Sequence, residues 1–168
     1  MRQIRNEKME SQPRGKVEKA GVSANWTITL LDKNGSVKHK EVKVNKIVNA
    51  GLDWLASYAF LGGSPTLQPD AMDYIAVGTG STAATATDTA LSSESARELV
   101  ETITSGGTGV ITVDNTFAAG VATATLVEAG IFNDPTAGTM FNRVVFSAVT
   151  KGASDTLKVS CTITFAEA

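Results

Sequence analysis

The sequence predicts a mainly β protein: an antiparallel β-sandwich or flattened barrel with one α-helix (about 49–60) and an extended N-terminal arm. Three observations predict it. Thr and Ala run through the C-terminal two thirds, beside 15 Gly and only 6% aromatic residues, and β-branched side chains suit a pleated sheet. Short runs alternate apolar and polar residues with period two. Turn residues separate these runs at short intervals, as in sandwiches and barrels.

At 168 residues the chain fits one domain with a core large enough to fold unaided. Residues 1–24 carry almost no apolar content and include Pro13 and Gly15. Such a segment cannot bury enough surface to offset its ordering entropy. It reads as a tail in the isolated protein, or as an arm that orders on a neighbour in an assembly. Residues 25–168 then form the β-rich domain. Residues 1–20 carry six Lys/Arg against three Asp/Glu, and the remainder nine against fourteen, so a basic arm precedes an acidic body. Arg2, Arg5, Lys8, Arg14, Lys16 and Lys19 are the candidate partner-binding residues of the arm.

The elements follow in order. Trp26, Ile28 and Leu30 alternate with Thr27, Thr29 and Leu31, a strand that Asp32-Lys33-Asn34-Gly35 turns into a return strand of about 36–44. Asn49 is placed to cap the helix. Leu52, Leu55, Ala56 and Ala59 share one face at helical spacing, and Trp54 falls off that stripe toward a loop or a partner. Leu61-Gly62-Gly63-Ser64-Pro65 ends the helix. Tyr74–Val77 is a short buried strand, and residues 78–96 read as a long surface loop. Leu99–Ile103 and Val110–Val113 flank a glycine-rich turn. Val121–Leu126, Ala129–Phe132 and Met140–Phe146 follow as strands, with a turn at 133–138. In the last strand Leu157, Val159, Cys161, Ile163 and Phe165 point one way and Lys158, Ser160, Thr162 and Thr164 the other, one face on a core and one on water. That makes about eight strands.

Nothing in the pattern announces catalysis. His39 is the only histidine and Cys161 the only cysteine, too few for the usual zinc sites, and a triad needs a base oriented by a third group. Cys161 reads as a small core residue. Gly78-Thr79-Gly80 lacks the Gly-Lys-Ser/Thr ending of a phosphate loop. The carboxylates do not form a calcium loop. Glu128, set among apolar residues, reads as half of a structural ion pair with Arg97 or Arg143. No enzyme activity, cofactor or metal is expected. The net charge of −2 gives no general affinity for nucleic acid or membrane, and the arm has no aromatic residue to stack on bases. No apolar run reaches transmembrane length and the N-terminus is too polar for a signal peptide. A lone cysteine suits assembly in a reducing cytoplasm. A carbohydrate-binding β-domain is the remote alternative. It needs an exposed aromatic platform or a carboxylate pair, and two Trp and two Tyr make the platform hard to build.

The order of certain short motifs resembles a module of tailed-bacteriophage virion proteins, found at the head of tail-collar fibres and in small decoration and tail proteins. The motifs are Asn49-Ala50-Gly51-Leu52, Ala76-Val77-Gly78-Thr79-Gly80, Thr89-Ala90-Leu91 with Glu94 and Arg97, then Glu128-Ala129-Gly130-Ile131-Phe132, and Lys151-Gly152 leading to Asp155-Thr156-Leu157. The resemblance spans about 45–165. It implies a non-enzymatic virion component made in the host bacterial cytoplasm. A capsid decoration (cement) protein is the first expectation, because the chain stops after the module where a fibre would continue; a tail, collar or baseplate piece is the alternative. The implied partners are the major capsid protein or tail/collar proteins and further copies of the chain, a trimer being one of the closed symmetries expected.

Overall fold

The computed structural model describes residues 20–61 and 70–167. Two antiparallel sheets of five strands pack face to face, with one helix at their end; it is a sandwich and not a closed barrel. In chain order the elements are β1 (Ala20–Leu31), β2 (Val37–Val44), β3 (Lys46–Ile47), α1 (Asn49–Leu61), β4 (Tyr74–Gly78), β5 (Glu94–Leu99), β6 (Thr102–Gly107), β7 (Val110–Phe117), β8 (Thr125–Phe132), β9 (Met140–Thr150) and β10 (Thr156–Glu167). The first sheet runs β2-β1-β10-β7-β6 and the second β3-β9-β8-β4-β5.

The period-two pattern builds the first sheet directly. Trp26, Ile28 and Leu30 of β1, Val113 and Phe117 of β7, and Leu157, Val159 and Cys161 of β10 are all buried between the sheets. Their alternates, chiefly Thr and Ser, form the outer face. Phe165, expected on the buried side, keeps that direction but is 36% exposed, because β10 there runs past the end of the core.

Several boundaries differ from the sequence expectation. β1 begins at Ala20, where Ala20 pairs with Glu167 and Ala24 with Ile163, so residues 20–24 belong to the body. The small side chains there give no strand signal; the pairing comes from β10. Residues 99–103 are not one strand. Leu99 closes β5 in the second sheet, while Ile103 lies in β6 of the first, so the chain changes sheets between them. Val121–Leu126 and Ala129–Phe132 are not separate strands either. One strand, β8, runs from Thr125 to Phe132 through Glu128, and the residues before it form a turn with Ala122 at φ 50°. Ten strands are present among the described residues.

The first hairpin turn uses one positive φ, not two. Gly35 alone has φ 83°, while the Asp32 carboxylate accepts from the Asn34 and Ser36 amides at 2.8 Å each. The sequence is therefore read by the Asp side chain and the glycine together.

The helix turns a different face inward. Leu52 is 45% exposed, and Ala56 and Ala59 are exposed as well. Gly51 is buried against the backbone of Phe141. Trp54 stacks on Tyr58 with ring centres 4.9 Å apart and meets Phe141 edge-on at 6.2 Å, and its indole N–H donates to the Asp70 carbonyl at 2.9 Å. The helix is apolar on nearly every side, so its pattern cannot select a face; the glycine that permits close approach does. Nor does Asn49 act as the cap. The Val48 carbonyl accepts the first helical bond from Leu52, which puts the cap position at Val48. Val48 has no capping side chain; the Asn49 amide instead donates to the Ala86 carbonyl at 2.7 Å.

Candidate binding surfaces and a buried carboxylate clasp

The segment between β4 and β5, Thr79–Ser93, lies over the outer side of the second sheet. Beneath it Val48, Ala76, Leu91, Phe132 and Met140 form a small second core. What holds the segment is a buried ion pair. Glu128 is fully buried and Arg143 is 1% exposed. The Glu128 carboxylate accepts from the backbone amides of Gly80 (2.9 Å), Ser92 (3.0 Å) and Ser93 (2.8 Å) and from Arg143 Nε (2.9 Å). Arg143 spends its other donors on the same segment: the Thr82 carbonyl and Ser92 hydroxyl at 2.8 Å and the Asp88 carboxylate at 2.8 Å. Glycine is required where the clasp is tightest. A Cβ on Gly78 would stand 2.7 Å from Glu128 Oε1, and one on Gly80 would meet the same oxygen and the Ser92 side chain.

Of the two arginines weighed for Glu128, Arg143 is the partner. Arg97 has a parallel task. Its guanidinium lies 3.6 Å over the Phe132 ring, pairs with Glu94 at 2.6 Å and donates to the carbonyls of Asp134 (2.8 Å) and Ala137 (2.7 Å), which pins the 133–138 turn. The turn after β9 is built in the same way. Lys151, 1% exposed, donates to the carbonyls of Ala118 (2.8 Å) and Asp155 (2.7 Å), and burial pushes its pKa down. Asp155 takes Lys38 at 2.6 Å and the Gly152 amide at 2.9 Å, and these contacts hold its carboxyl below the ordinary value of 3.8.

These groups are chemically occupied. Every direction around the Glu128 carboxylate is filled by donors of this chain, so it faces no space in which a reacting molecule could stand. Cys161 is buried, burial pushes its thiol up to about 12, and the Asn142 amide donates to the sulfur at 3.4 Å. His39 stands level with Leu30, and Leu30 with Leu157, whereas Cys161 faces Trp26. Four strand positions, about 13 Å, keep the imidazole and the thiol apart. Among the described residues, no group of three or more His, Cys, Asp or Glu is arranged to hold a metal ion.

What the body offers outward is surface of three kinds. The outer face of the first sheet carries Thr27, Thr29, Thr112, Thr116, Ser160 and Thr162; Thr112 and Thr162 bond across the strands at 3.1 Å. The sheet edges are β2 and β6, and β3 and β5. Between α1 and the first sheet opens an apolar groove of about 380 Å³, lined by Trp54, Leu55, Tyr58 and Met72 on one side and by Ile103, Ile111 and Phe165 on the other. Sequence reasoning missed this groove, because its two walls come from segments thirty and more residues apart. Its only sequence signal is a helix apolar on more sides than one core contact needs. The arm candidates Arg2, Arg5, Lys8, Arg14, Lys16 and Lys19 all lie outside the described residues. No helix among the described residues is long and apolar enough to cross a membrane. The chain matches no family model, no curated protein and no solved structure.

Proposed function

We propose that this protein is a non-enzymatic structural component of a tailed-phage virion, in the first place a capsid decoration protein, that works by binding other protein chains. One observation carries the reading. The motif residues behind the resemblance are spent on the scaffold. Gly51 seats the helix, Gly78 and Gly80 admit the Glu128 clasp, Arg97 pins a turn, and Lys151 with Asp155 closes another. None of them presents a reactive group to solvent, while sheet edges, a hydroxyl-bearing sheet face and an apolar groove are left for contact. A rigid β block of this kind supplies interfaces, and many copies on a lattice turn weak contacts into avidity. The arm orders across a neighbouring subunit, adding buried area at an entropic cost met on binding.

The test is occupancy on purified particles. Quantitative mass spectrometry of virions should find the protein in hundreds of copies if it decorates the head, and in a handful or a dozen if it belongs to tail, collar or baseplate. Its absence from particles would overturn the reading. The arm is tested by deleting residues 1–19 only, because residues 20–24 belong to β1 and pair with β10. Unchanged occupancy after that deletion would remove the arm from the binding scheme.

A further inference from the structure

We infer that β6 is a contact edge, and that it pairs antiparallel, about a two-fold axis, with β6 of a second copy of this chain. An edge strand leaves a row of backbone N–H and C=O groups unpaired, and folded proteins blunt such edges with charge, shortness or cover. Among the described residues the sheet edges are β2, β6, β3 and β5. All but one are blunted. β2 carries Lys38, Lys40, Glu41 and Lys43, β3 is two residues long, and β5 carries Glu94, Arg97 and Glu98. β6, Thr-Ile-Thr-Ser-Gly-Gly, has no charged residue and no proline, and all six of its residues are exposed.

One side chain marks the place where a further strand is missing. Ile103 pairs with Val113, and side chains opposed across an antiparallel ladder share one face of the sheet. Val113 lies in the core at 3% exposure, whereas Ile103 is 50% exposed. The difference is neighbours: β7 has β10 on one side and β6 on the other, while β6 has β7 alone. A strand added at this edge would cover Ile103 and satisfy the open backbone groups together.

Charge and register select the added strand. A charged peptide finds no counter-ion on β6, and a long apolar one finds a single isoleucine. The strand that matches it is β6 itself, because self-pairing opposes no like charges, whereas two copies of β2 would set their lysines together. In a two-fold antiparallel pair the inward-facing Ile103 can meet only Ile103 or Ser105 of the second copy. The first register sets isoleucine on isoleucine and centres on the regular stretch Thr102–Thr104. The second draws in the irregularity between Ser105 and Gly107. In the first, Thr102 faces Thr104 of the second copy on the outer side. The hydroxyl row of Thr162, Thr112 and Thr104, already bonded between Thr112 and Thr162 at 3.1 Å, then continues across the axis. A six-residue strand makes a contact smaller than the roughly 1,200–2,000 Å² of stable complexes. The pair is therefore weak, with a Kd on the order of 100 μM.

The test is sedimentation equilibrium of the full-length chain, which should show monomer and dimer in exchange. Ile103→Lys and Ile103→Glu each place like charges on the two-fold axis, and each should weaken association at least about tenfold. An equimolar mixture of the two should restore it, because Lys then faces Glu. Val42→Lys, at an exposed site on β2, should change nothing. Melting curves confirm that the variants stay folded. Ile103→Cys gives a second measurement without a charge: opposed Cβ atoms stand about 4.5–5.5 Å apart, so oxidised glutathione should join the copies by a disulfide. Cys161 is buried and does not compete. A chain that stays monomeric up to about ten times the expected Kd would overturn the proposal. So would association that survives Ile103→Lys, a Lys/Glu mixture that fails to associate, or Val42→Cys cross-linking as readily as Ile103→Cys. Loss of association in Val42→Lys would mean head-to-tail pairing of β6 with β2, and would overturn the two-fold pair as well. No particle enters these measurements, so the virion reading stands or falls separately.

Discussion

Replacing Glu128 with Gln should be among the most damaging near-isosteric changes available to this body. The carboxylate has two oxygens and five donors. Oε1 takes the Gly80 and Ser93 amides, and Oε2 takes the Ser92 amide with Arg143 Nε and Nη2, the last at 2.8 Å. An amide group in the same place presents NH₂ to one of these sets whichever way it is turned. Two or three donors then face a donor, each buried orphan costing about 1–3 kcal/mol. Arg143 keeps its charge inside with only Asp88 as counter-ion. Breaking a buried pair from one side typically costs about 3–5 kcal/mol, and the orphan count arrives at the same range, so we expect about 4 kcal/mol. That is a large fraction of the 5–15 kcal/mol typical of a domain. At roughly 2–4 °C per kcal/mol for this size, the melting midpoint should fall by about 8–16 °C. Denaturant unfolding of the wild type and Glu128→Gln measures the loss, and hydrogen exchange locates it: the Ser92 and Ser93 amides should lose protection beyond the global change, the Ile28 and Val159 amides only in step with it. A loss below about 1 kcal/mol, with Ser92 and Ser93 still protected, would refute the clasp as the device that orders residues 79–93. Adding Arg143→Met should destabilise by less than the sum of the two single changes, since the second removes a charge the first has orphaned.

Three further outcomes are expected. Gly51→Ala would place a methyl group 2.7 Å from the Cα of Phe141, so the helix must lift; about 1–3 kcal/mol of stability should go, with a change in Trp54 fluorescence. Cys161 should resist alkylating reagents in the folded protein and react on unfolding, because burial holds its thiol near 12; Cys161→Ser should lower stability, by roughly 1–2 kcal/mol, without affecting particle binding. Acid should destabilise the fold through carboxylates held below their ordinary values. For Asp155 the cause is the Lys38 ammonium and the Gly152 amide, for Asp134 the Thr136 and Ala137 amides, and for Asp88, against the upward pull of burial, Thr85 and Arg143. A carboxyl whose folded value is depressed stabilises above its unfolded value, here 3.8, and that contribution drains away as pH falls through the lower folded value. Unfolding midpoints should therefore be flat from about pH 5 to neutrality and drop below about pH 4, and Asp155→Asn should flatten the drop.

The strands that could be read from sequence are those with water on one side. β1, β7 and β10 alternate because their outer faces are solvated Thr and Ser, and that contrast is the whole of the period-two signal. β8 loses the contrast. Leu126 faces the inter-sheet core, Phe132 the second core, and both are buried, as is Glu128 between them; with no solvated face there is no alternation, and the strand breaks in two on paper. The helix fails for the complementary reason, being apolar all round and having its face chosen by a glycine. The Glu128–Arg143 pair was legible as a choice between two arginines. Its remaining partners were not, because backbone amides leave no mark on a sequence except where they force a glycine, and Gly78 and Gly80 are that mark.

The stretch 78–93 also separates composition from order. Thr and Ala repeats without bulky side chains look like a segment with nothing to hold it, and its own side chains do supply little: Leu91 is its one buried apolar anchor. The ordering comes from below, from a carboxylate and a guanidinium that the sheet presents to its backbone. A buried pair is a poor source of net stability compared with an apolar substitute, so its value here lies in geometry. Apolar residues at 128 and 143 would fill the same volume and leave the amides of Gly80, Ser92 and Ser93 and the carbonyl of Thr82 without partners, and the segment would detach. The charge is thus spent on fixing one conformation of a fifteen-residue connection, and through the Ala86 carbonyl on fixing the start of α1. Whatever contacts the second sheet's outer side meets a surface shaped by Glu128, although Glu128 itself never reaches it.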